Sequence, residues 1–564
     1  MATLSLVLTC IAGLASAAVL DNRQASSSAS VEQIFQTFPQ IFAGPTKTGS
    51  APFLAETNPA AFGSLSYVPN TPLATALPIQ GIQSGQNIFL LMGQLTPYQP
   101  NPVGFGSNEY SLPPGTNISQ VHLLSRHGSR YPTGDSSVSS FGSKLHNITS
   151  NGTASWSGEL SFLNSWTYKM GAEILVPKGR QELYDSGVLF YYNYGHLYNT
   201  STKILARTTT QDRMLKSAEN FMAGFFGLEW TKNATLEVVI EQSGFNNTLA
   251  GYFQCNNSNN YYSTGGNNAS RIWENIYLAN ATQRLKALSG GYNWTVADTY
   301  NAQTLCPYET VAFGYSAFCD LFTYEEWQGF EYSIDLQFYG NNGFGSPVGR
   351  GATSTTSPPA QPKQRDPRHL LRHLPPQPNP LHGLLPRHKH LRHHLRLRLR
   401  QFNQSLPATG PPANQQAIVS HMTPFGTRMY WEIITAPSPV KAQRPAGSNL
   451  TMSDYYESGN TTKYVHILLN QRTIPLYKSY PECEVRDDGW CELETYLNVL
   501  GTLLDQADYE QACFGTYPVA KYGEISDGRP LNATMKAKRD AKRVHHSLAR
   551  ELGAQSLWHR EAVM

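Results

Sequence analysis

Two arginines flank a histidine within residues 125–133, which read Ser-Arg-His-Gly-Ser-Arg-Tyr-Pro-Thr. Guanidinium groups present forked hydrogen-bond donors that match phosphate oxygens, and Gly128 lets the backbone turn closely around a ligand. Because nearby positive charge disfavours an imidazolium, Arg126 and Arg130 would keep His127 neutral at acid pH. We predict that His127 attacks phosphorus and forms a phosphohistidine, while the arginines stabilise the charge on the transferring phosphoryl group.

The spacing of this motif separates it from the solvated basic turn that most Arg-His-Arg clusters form. Five fixed residues, Arg-His-Gly-x-Arg-x-Pro, arise by chance in roughly one chain in several thousand of this length. The apolar run 118–124 directly before the motif predicts a strand. Ligand sites in open α/β sheets lie beyond the carboxyl ends of strands, and a helix starting here would add N–H groups that favour an anion.

Strand and helix patterns alternate along most of the chain, which favours an α/β architecture with a mostly helical insertion in the middle. A polar turn at 470–472 between two apolar runs predicts a hairpin. The predicted strands are 118–124, 235–240, 429–435, 464–469 and 474–476, and the predicted helices are 271–288 and 308–329.

The motif closely resembles that of the histidine acid phosphatases, the branch of the histidine phosphatase superfamily that includes fungal phytases. The resemblance extends over about residues 90–350 and 401–528. It implies a phosphoglycerate-mutase-like central sheet flanked by helices, with a mostly helical inserted domain, and it implies Arg207 as a third phosphate-binding arginine. The other segments that resemble the family are 205–221, which includes Asp212-Arg213, and 335–340, 423–428 and 465–476.

One part of the family pattern is missing. Family members carry a His-Asp or similar pair late in the chain; its histidine binds phosphate, and its aspartate protonates the leaving alkoxide. This sequence contains no His-Asp or His-Glu dipeptide. Asp335 and Asp366 are the nearest acids, and we assign neither to catalysis, so the proton donor is unknown. His122 is expected to be a core histidine, and His421 a packing or surface histidine.

The pair should lie within the tract 351–400, which is dominated by Pro, His, Arg and Leu and holds Asp366 as its only acid. Three interpretations stay open. The tract is a frame error or misjudged intron, with the frame resuming near Gln401, or it is a disordered basic loop that binds polyanions or metal. In the third interpretation, one histidine of the tract takes the place of the missing family histidine.

Targeting and glycosylation signals indicate a secreted protein. Residues 1–17 combine an apolar run with a small-residue cleavage pattern typical of a signal peptide. Asn-x-Ser/Thr sequons recur along the chain and indicate a glycosylated surface. They include Asn117, Asn147, Asn151, Asn199, Asn233, Asn246, Asn256, Asn268, Asn280, Asn293, Asn403, Asn449, Asn460 and Asn532.

Six cysteines remain once Cys10 leaves with the signal, and an even number in a secreted chain indicates disulfides. The residues alone allow fifteen pairings, and a zinc site lacks its usual ligand spacing. The family resemblance implies the pairs Cys255–Cys513, Cys306–Cys319 and Cys483–Cys491.

The composition of the chain argues against two classes of protein, nucleic-acid-binding proteins and integral membrane proteins. The 564 residues are 40% hydrophobic and carry a net charge of +3. Ten of the 43 basic residues lie in 361–400, so the rest of the chain is acidic, which argues against a nucleic-acid-binding fold. No apolar run after the signal is long enough to span a membrane. No metal or cofactor is expected, because the arginines supply the positive charge.

The sequence thus predicts a secreted acid phosphomonoesterase with a phosphate monoester, phytate among them, as substrate. The alternatives are a catalytically impaired phosphate-binding glycoprotein that lacks the proton donor, a polyanion-binding module formed by the tract, and a phosphohistidine mutase. The oligomeric state is open. The expected organisation is a signal peptide (1–17), an N-terminal arm (18–110), a discontinuous α/β domain (111–227 and 331–530), a helical insertion (228–330), the anomalous tract (351–400) and a C-terminal extension (531–564).

Overall fold

The computed structural model describes residues 86–134, 136–199, 202–245, 247, 249–353, 381–385, 397–444, 454–456 and 458–531. The predicted signal peptide, the arm up to residue 85, most of the anomalous tract and the C-terminal extension beyond residue 531 lie outside these ranges. The helices are α1 (Ser137–Ser150), α2 (Pro177–Tyr194), α3 (Asp212–Phe226), α4 (Gly265–Tyr277), α5 (Ala279–Ala287), α6 (Val296–Phe313), α7 (Tyr324–Asn342), α8 (Val419–Met422), α9 (Leu493–Gln506) and α10 (Tyr509–Phe514). The strands are β1 (Asn117–Arg126), β2 (Ser155–Trp156), β3 (Ile204–Thr209), β4 (Ala234–Val239), β5 (Ser289–Gly290), β6 (Leu381–Leu385), β7 (Arg428–Ala436), β8 (Thr462–Leu469), β9 (Arg472–Thr473) and β10 (Cys491–Glu492).

Eight of the described strands form one sheet in the order β10-β8-β7-β1-β6-β3-β4, with β9 paired to β8. The strands β1, β6, β3 and β4 run parallel, and β7 joins β1 antiparallel. Parallel strands end at the same edge of a sheet. The carboxyl end of β1, where the motif begins, therefore lies at the same edge as the ends of β6, β3 and β4.

The apolar residues of β1 determine which face of the sheet α2 and α3 cover. Val121 and Leu123 are buried in one cluster with the apolar side chains of both helices. The two helices touch backbone to backbone at glycines. A Cβ atom on Gly187 would lie 2.1 Å from the carbonyl oxygen of Phe221, so only glycine fits there. This close packing fixes the beginnings of α2 and α3 beside the end of β1.

The helical insertion follows β4 and consists of α4 to α7. The predicted helix 271–288 is divided at Leu278 into α4 and α5. The prediction of one helix over 308–329 is wrong, because α6 ends at Gly314 in the left-handed conformation and α7 starts with a capping box between Thr323 and Glu326. The aromatic pattern in this stretch is continuous across both helices and hides the break.

The three disulfides of the structure are Cys255–Cys513, Cys306–Cys319 and Cys483–Cys491, the pairs that the family resemblance implies. The bond between Cys255 and Cys513 joins the start of the insertion to α10, and it is buried. Closing so long a loop restricts the unfolded chain most strongly.

Two further segments differ from the sequence prediction. The hairpin after β8 is present, but its turn contains only Asn470 and Gln471, both with positive φ, and the returning strand is β9 instead of 474–476. The anomalous tract supplies β6, which lies between β1 and β3. No described helix is long and apolar enough to cross a membrane.

Candidate active site

The turn after β1 is held by hydrogen bonds to the segment just before β7. Arg126 is the last residue of β1, and its N–H donates to Thr427 O at 2.8 Å, while the carbonyl of His127 accepts from Gly426 N at 2.9 Å. Gly128 lies against the first turn of α2, where a Cβ atom would come within 2.1 Å of Gly179 O. The glycine of the motif is therefore required by this contact between two backbones.

His127 is completely buried, and its Nδ1 lies 2.8 Å from the carbonyl oxygen of Gly128. Because a carbonyl only accepts, Nδ1 carries the ring proton and Nε2 carries the lone pair. Nε2 has no hydrogen-bond partner among the described residues. Burial lowers the pKa of His127 well below 6.5, and the charges of Arg126, Arg130 and Arg213 lower it further. The geometry gives a neutral imidazole with its nucleophilic nitrogen available.

Arg126 and Arg130 are both buried beside this imidazole. Arg126 Nη1 donates to the carbonyls of Gln94 and Thr423, each at 2.7 Å. Its guanidinium also lies 4.6 Å from the ring centre of Phe425, a cation–π contact. Arg130 Nη1 donates to Tyr131 O at 2.5 Å. The first two arginines of the predicted site are thus positioned around His127, as the motif predicts.

The third arginine near His127 is Arg213, at the start of α3. It is buried, and its Nη1 pairs with a carboxylate oxygen of Glu173. Burial lowers the pKa of Arg213, and the charge of Arg130 lowers it further. Arg207 lies elsewhere in the structure: its side chain is 46% exposed and pairs with Glu237 at 2.6 Å. The structure therefore does not bring Arg207 to the cluster, and the role that the resemblance implies for it stays a prediction.

Arg213 and Glu182 are the residues that sequence reasoning missed. For Arg213 the sequence did hold a signal, because the residue lies in a segment that resembles the family and at the first turn of a helix that follows a strand. Glu182 lies inside α2 and gave no signal. Its carboxylate accepts from Ser129 N at 2.7 Å and from Ser129 Oγ at 2.9 Å.

The other acids and histidines considered from the sequence lie outside this cluster. Asp335 accepts from Val419 N and from Gln415, each at 2.7 Å, so it holds the chain before α8. His122 and His421 are largely buried, and burial lowers the pKa of each to about 4. Asp366 lies outside the described residues. Within the described ranges, no group of three or more His, Cys, Asp or Glu side chains is arranged to hold a metal ion.

Comparisons with known proteins show what this chain resembles in sequence and fold. Residues 117–358 match the family model of the histidine phosphatase superfamily (branch 2). The chain is 26% identical over 478 residues to phytase A of Arthroderma benhamiae, covering 78% of this chain and 97% of the relative. It is 28% identical over 450 residues to an acid phosphatase of Schizosaccharomyces pombe, covering 76% and 91%. The crystal structure of the phytase from D. castellii shares the fold with a TM-score of 0.62 at 22% identity, covering 78% of this chain and 94% of that one.

Proposed function

We propose that this chain, whose residues 117–358 match the family model of branch 2 of the histidine phosphatase superfamily, is a secreted acid phosphomonoesterase that uses His127 as its nucleophile. The observation that carries the proposal is the buried imidazole whose Nδ1 proton is held by Gly128 O, with Nε2 left available beside three guanidinium groups. Relatives named phytase and acid phosphatase support a phosphate monoester as substrate, with phytate a candidate.

The chemistry requires two phosphoryl transfers. In the first, the lone pair of His127 Nε2 attacks phosphorus while the ester P–O bond breaks, and its electron pair leaves on the alkoxide, which takes up a proton. Nδ1 keeps its proton, so the phosphorylated ring is cationic. In the second, water attacks phosphorus, the P–N electron pair returns to Nε2, and the proton of the water passes to solvent.

The arginines supply the charge that this transfer needs. A phosphate monoester carries about −1.5 to −2 charge near neutrality, which Arg126, Arg130 and Arg213 match by geometry. Fixed positive groups at the transferring phosphoryl group stabilise the transition state without reorganising. The low pKa of His127 keeps the nucleophile neutral at acid pH, where an exposed imidazole would be protonated. The arrangement therefore supports activity under acid conditions.

The nucleophile can be tested by rapid quenching with a radiolabelled aryl phosphate. The unmodified protein should hold label on His127, and His127→Asn should hold none. His146→Asn is the matched control, because His146 is an exposed histidine on α1, and this variant should be labelled like the unmodified protein. A folded sample that takes up no label, or equal labelling of His127→Asn, would contradict the proposal.

The absence of a His-Asp dipeptide favours a second candidate, a phosphate-binding glycoprotein with impaired turnover. A general acid contributes about 10²–10⁴-fold to such a reaction, and its contribution is largest for a poor leaving group. Without one, aryl phosphates should be hydrolysed far faster than alkyl phosphates. Binding of inorganic phosphate without turnover of either ester supports the second candidate, and comparable rates for the two esters show that a proton donor is present.

Secretion and glycosylation are part of the proposal, and the exposure of the sequons supports them. A glycan needs an accessible asparagine. Among the sequon asparagines that the structure describes, the exposed ones are Asn117, Asn147, Asn151, Asn256, Asn268, Asn280, Asn293, Asn403 and Asn460. Expression in a fungal host should give protein in the medium whose mass falls on endoglycosidase treatment; retention in the cell at the mass of the bare chain would contradict this.

A further inference from the structure

One peptide group connects a buried carboxylate to the nucleophile. The carbonyl of Gly128 accepts from His127 Nδ1 at 2.8 Å, and the N–H of the same peptide unit, which belongs to Ser129, donates to Glu182 Oε2 at 2.7 Å. Because the peptide unit is planar, its N–H and C=O have a fixed relative orientation. The position of the Glu182 carboxylate therefore determines the direction of the carbonyl that holds the ring.

Glu182 is built to act as an acceptor. Its side chain is fully buried, and its two oxygens accept three hydrogen bonds, from Ser129 N, Ser129 Oγ and Tyr98 N. Arg428 Nη2 donates to the backbone carbonyl of Glu182 at 3.1 Å, and its guanidinium lies 3.7 Å from the ring centre of Tyr98. Both the carboxylate and the backbone of Glu182 are thus held by hydrogen bonds.

We infer that Glu182 is a positioning residue for phosphoryl transfer, acting on His127 through the Gly128–Ser129 peptide. A carboxylate that accepts from an amide N–H polarises that amide, so its carbonyl becomes a stronger acceptor. The ring becomes cationic only when phosphorus bonds to Nε2, so the stronger Nδ1–H···O contact favours the transition state over the bound substrate. The inference rests on the proposed function for the reaction step, but the hydrogen-bond relay itself does not.

The variant Glu182→Gln keeps the shape of the side chain, removes its charge and leaves one oxygen for three donors. We expect the single-turnover rate of phosphohistidine formation from p-nitrophenyl phosphate to fall by about 10- to 100-fold, the range of a charge-assisted hydrogen bond. KM should change little, because the contact strengthens only in the transition state. With histidine-selective ¹⁵N labelling, the Nδ1 proton resonance of His127 should move upfield.

Glu309→Gln is the matched control. Glu309 is also buried and accepts from two neutral donors, Trp166 Nε1 and Ser316 Oγ, but it lies on α6 within the insertion. It should lower the melting temperature without changing the rate at full substrate or the His127 resonance. If Glu182→Gln does not fold, Glu182→Asp, which retains the charge but withdraws it by one methylene, should show the same two effects in weaker form.

Equal rates and an unmoved resonance in the Glu182 variants would overturn the inference, as would a rate loss that the control reproduces at equal melting temperature. If the unmodified chain transfers no phosphoryl group at all, the proposed function fails. The resonance of His127 then decides the relay by itself, because that measurement needs no turnover.

Discussion

A chain of buried polar groups crosses the antiparallel part of the sheet and should make the stability of the protein depend on pH. His466 on β8 lies between the carboxylate of Glu432 and the hydroxyl of Thr473. Its Nδ1 is 2.7 Å from Glu432 Oε2, and its Nε2 is 2.8 Å from Thr473 Oγ1. The hydroxyl of Thr473 in turn donates to Glu109 at 2.7 Å, and Tyr194 donates to the other oxygen of Glu432 at 2.5 Å.

These contacts fix the protonation of His466. Because the Thr473 hydroxyl gives its proton to Glu109, it accepts from Nε2–H, and Nδ1–H donates to Glu432, so both ring nitrogens are protonated. Burial lowers the pKa of His466, but the hydrogen bond and charge of Glu432, with the charges of Glu109 and Asp488, outweigh burial and raise it above 6.5. A histidine with a raised folded-state pKa stabilises the fold fully below about 6.5, and this contribution is lost as the pH rises through the folded-state pKa.

The variant His466→Gln removes the positive charge and leaves Glu432 buried without its cation. Removing one partner of a buried ion pair costs about 3–5 kcal/mol, so we expect a loss of that size in the free energy of unfolding at pH 5. The loss should become smaller as the pH rises through the folded-state pKa of His466, because the unmodified ring then releases its own proton. Urea unfolding followed by tryptophan fluorescence at pH 5 and pH 9 measures the difference.

The variant His122→Gln is the control, because His122 is also a buried histidine but its pKa is shifted in the opposite direction. Burial lowers the pKa of His122 to about 4, so the neutral ring reduces stability as the pH falls from about 6.5 towards 4. Its replacement should therefore be most favourable at acid pH, where the His466 replacement is most harmful. A loss for His466→Gln that is larger at pH 9 than at pH 5 would refute the charged pair.

Four further variants test the site and the packing around it. Arg213→Ala should lower kcat/KM by about 10- to 100-fold, whereas Arg207→Ala should leave it within about threefold, as an exposed pair permits; the reverse order would favour the role that the family resemblance implies. Gly128→Ala should abolish phosphohistidine labelling and lower the melting temperature, because its Cβ cannot fit beside Gly179 O; normal labelling would contradict this close approach of the two backbones. Burial raises the pKa of Glu331 to about 7, so the protein loses stability as the pH rises from about 4.5 through 7. The variant Glu331→Gln should therefore raise the melting temperature at pH 8 but not at pH 4.5. Equal shifts of the melting temperature at the two pH values would contradict the raised pKa.

The parts of the site that lie in one stretch of sequence were predictable, and the parts supplied by distant residues were not. The strand before the motif follows from its apolar pattern, and the proposed roles of Arg126 and His127 follow from residue type. The partners of Arg126 are backbone carbonyls of Gln94 and Thr423, about 30 and 300 positions away. Backbone carbonyls are the same at every residue, so no pattern in the sequence indicates them.

The placement of Arg207 shows a second limit. A strand alternates its side chains between two faces, so a residue next to the active edge can point away from it. Ala206 and Thr208 are buried, and Arg207 between them is exposed. Arg213 enters the site because α3 starts directly beyond the strand end. The motif match identifies the segment that contains Arg207. It does not show which face of the sheet the Arg207 side chain lies on, because that depends on the register of β3 with its neighbours.

The anomalous tract shows that the fold and the reaction place different requirements on the same segment of sequence. A sheet needs a strand between β1 and β3 to pair their backbone N–H and C=O groups, and the pairing itself does not depend on side-chain identity. The apolar segment Leu381–Leu385, bracketed by Pro380 and Pro386, meets that requirement. Protonation of an alkoxide instead needs a particular acid, and the sequence holds no His-Asp pair there. The tract can thus complete the sheet without completing the catalytic set, and for this reason the comparison of aryl and alkyl esters is the sharpest measure of what this chain can do.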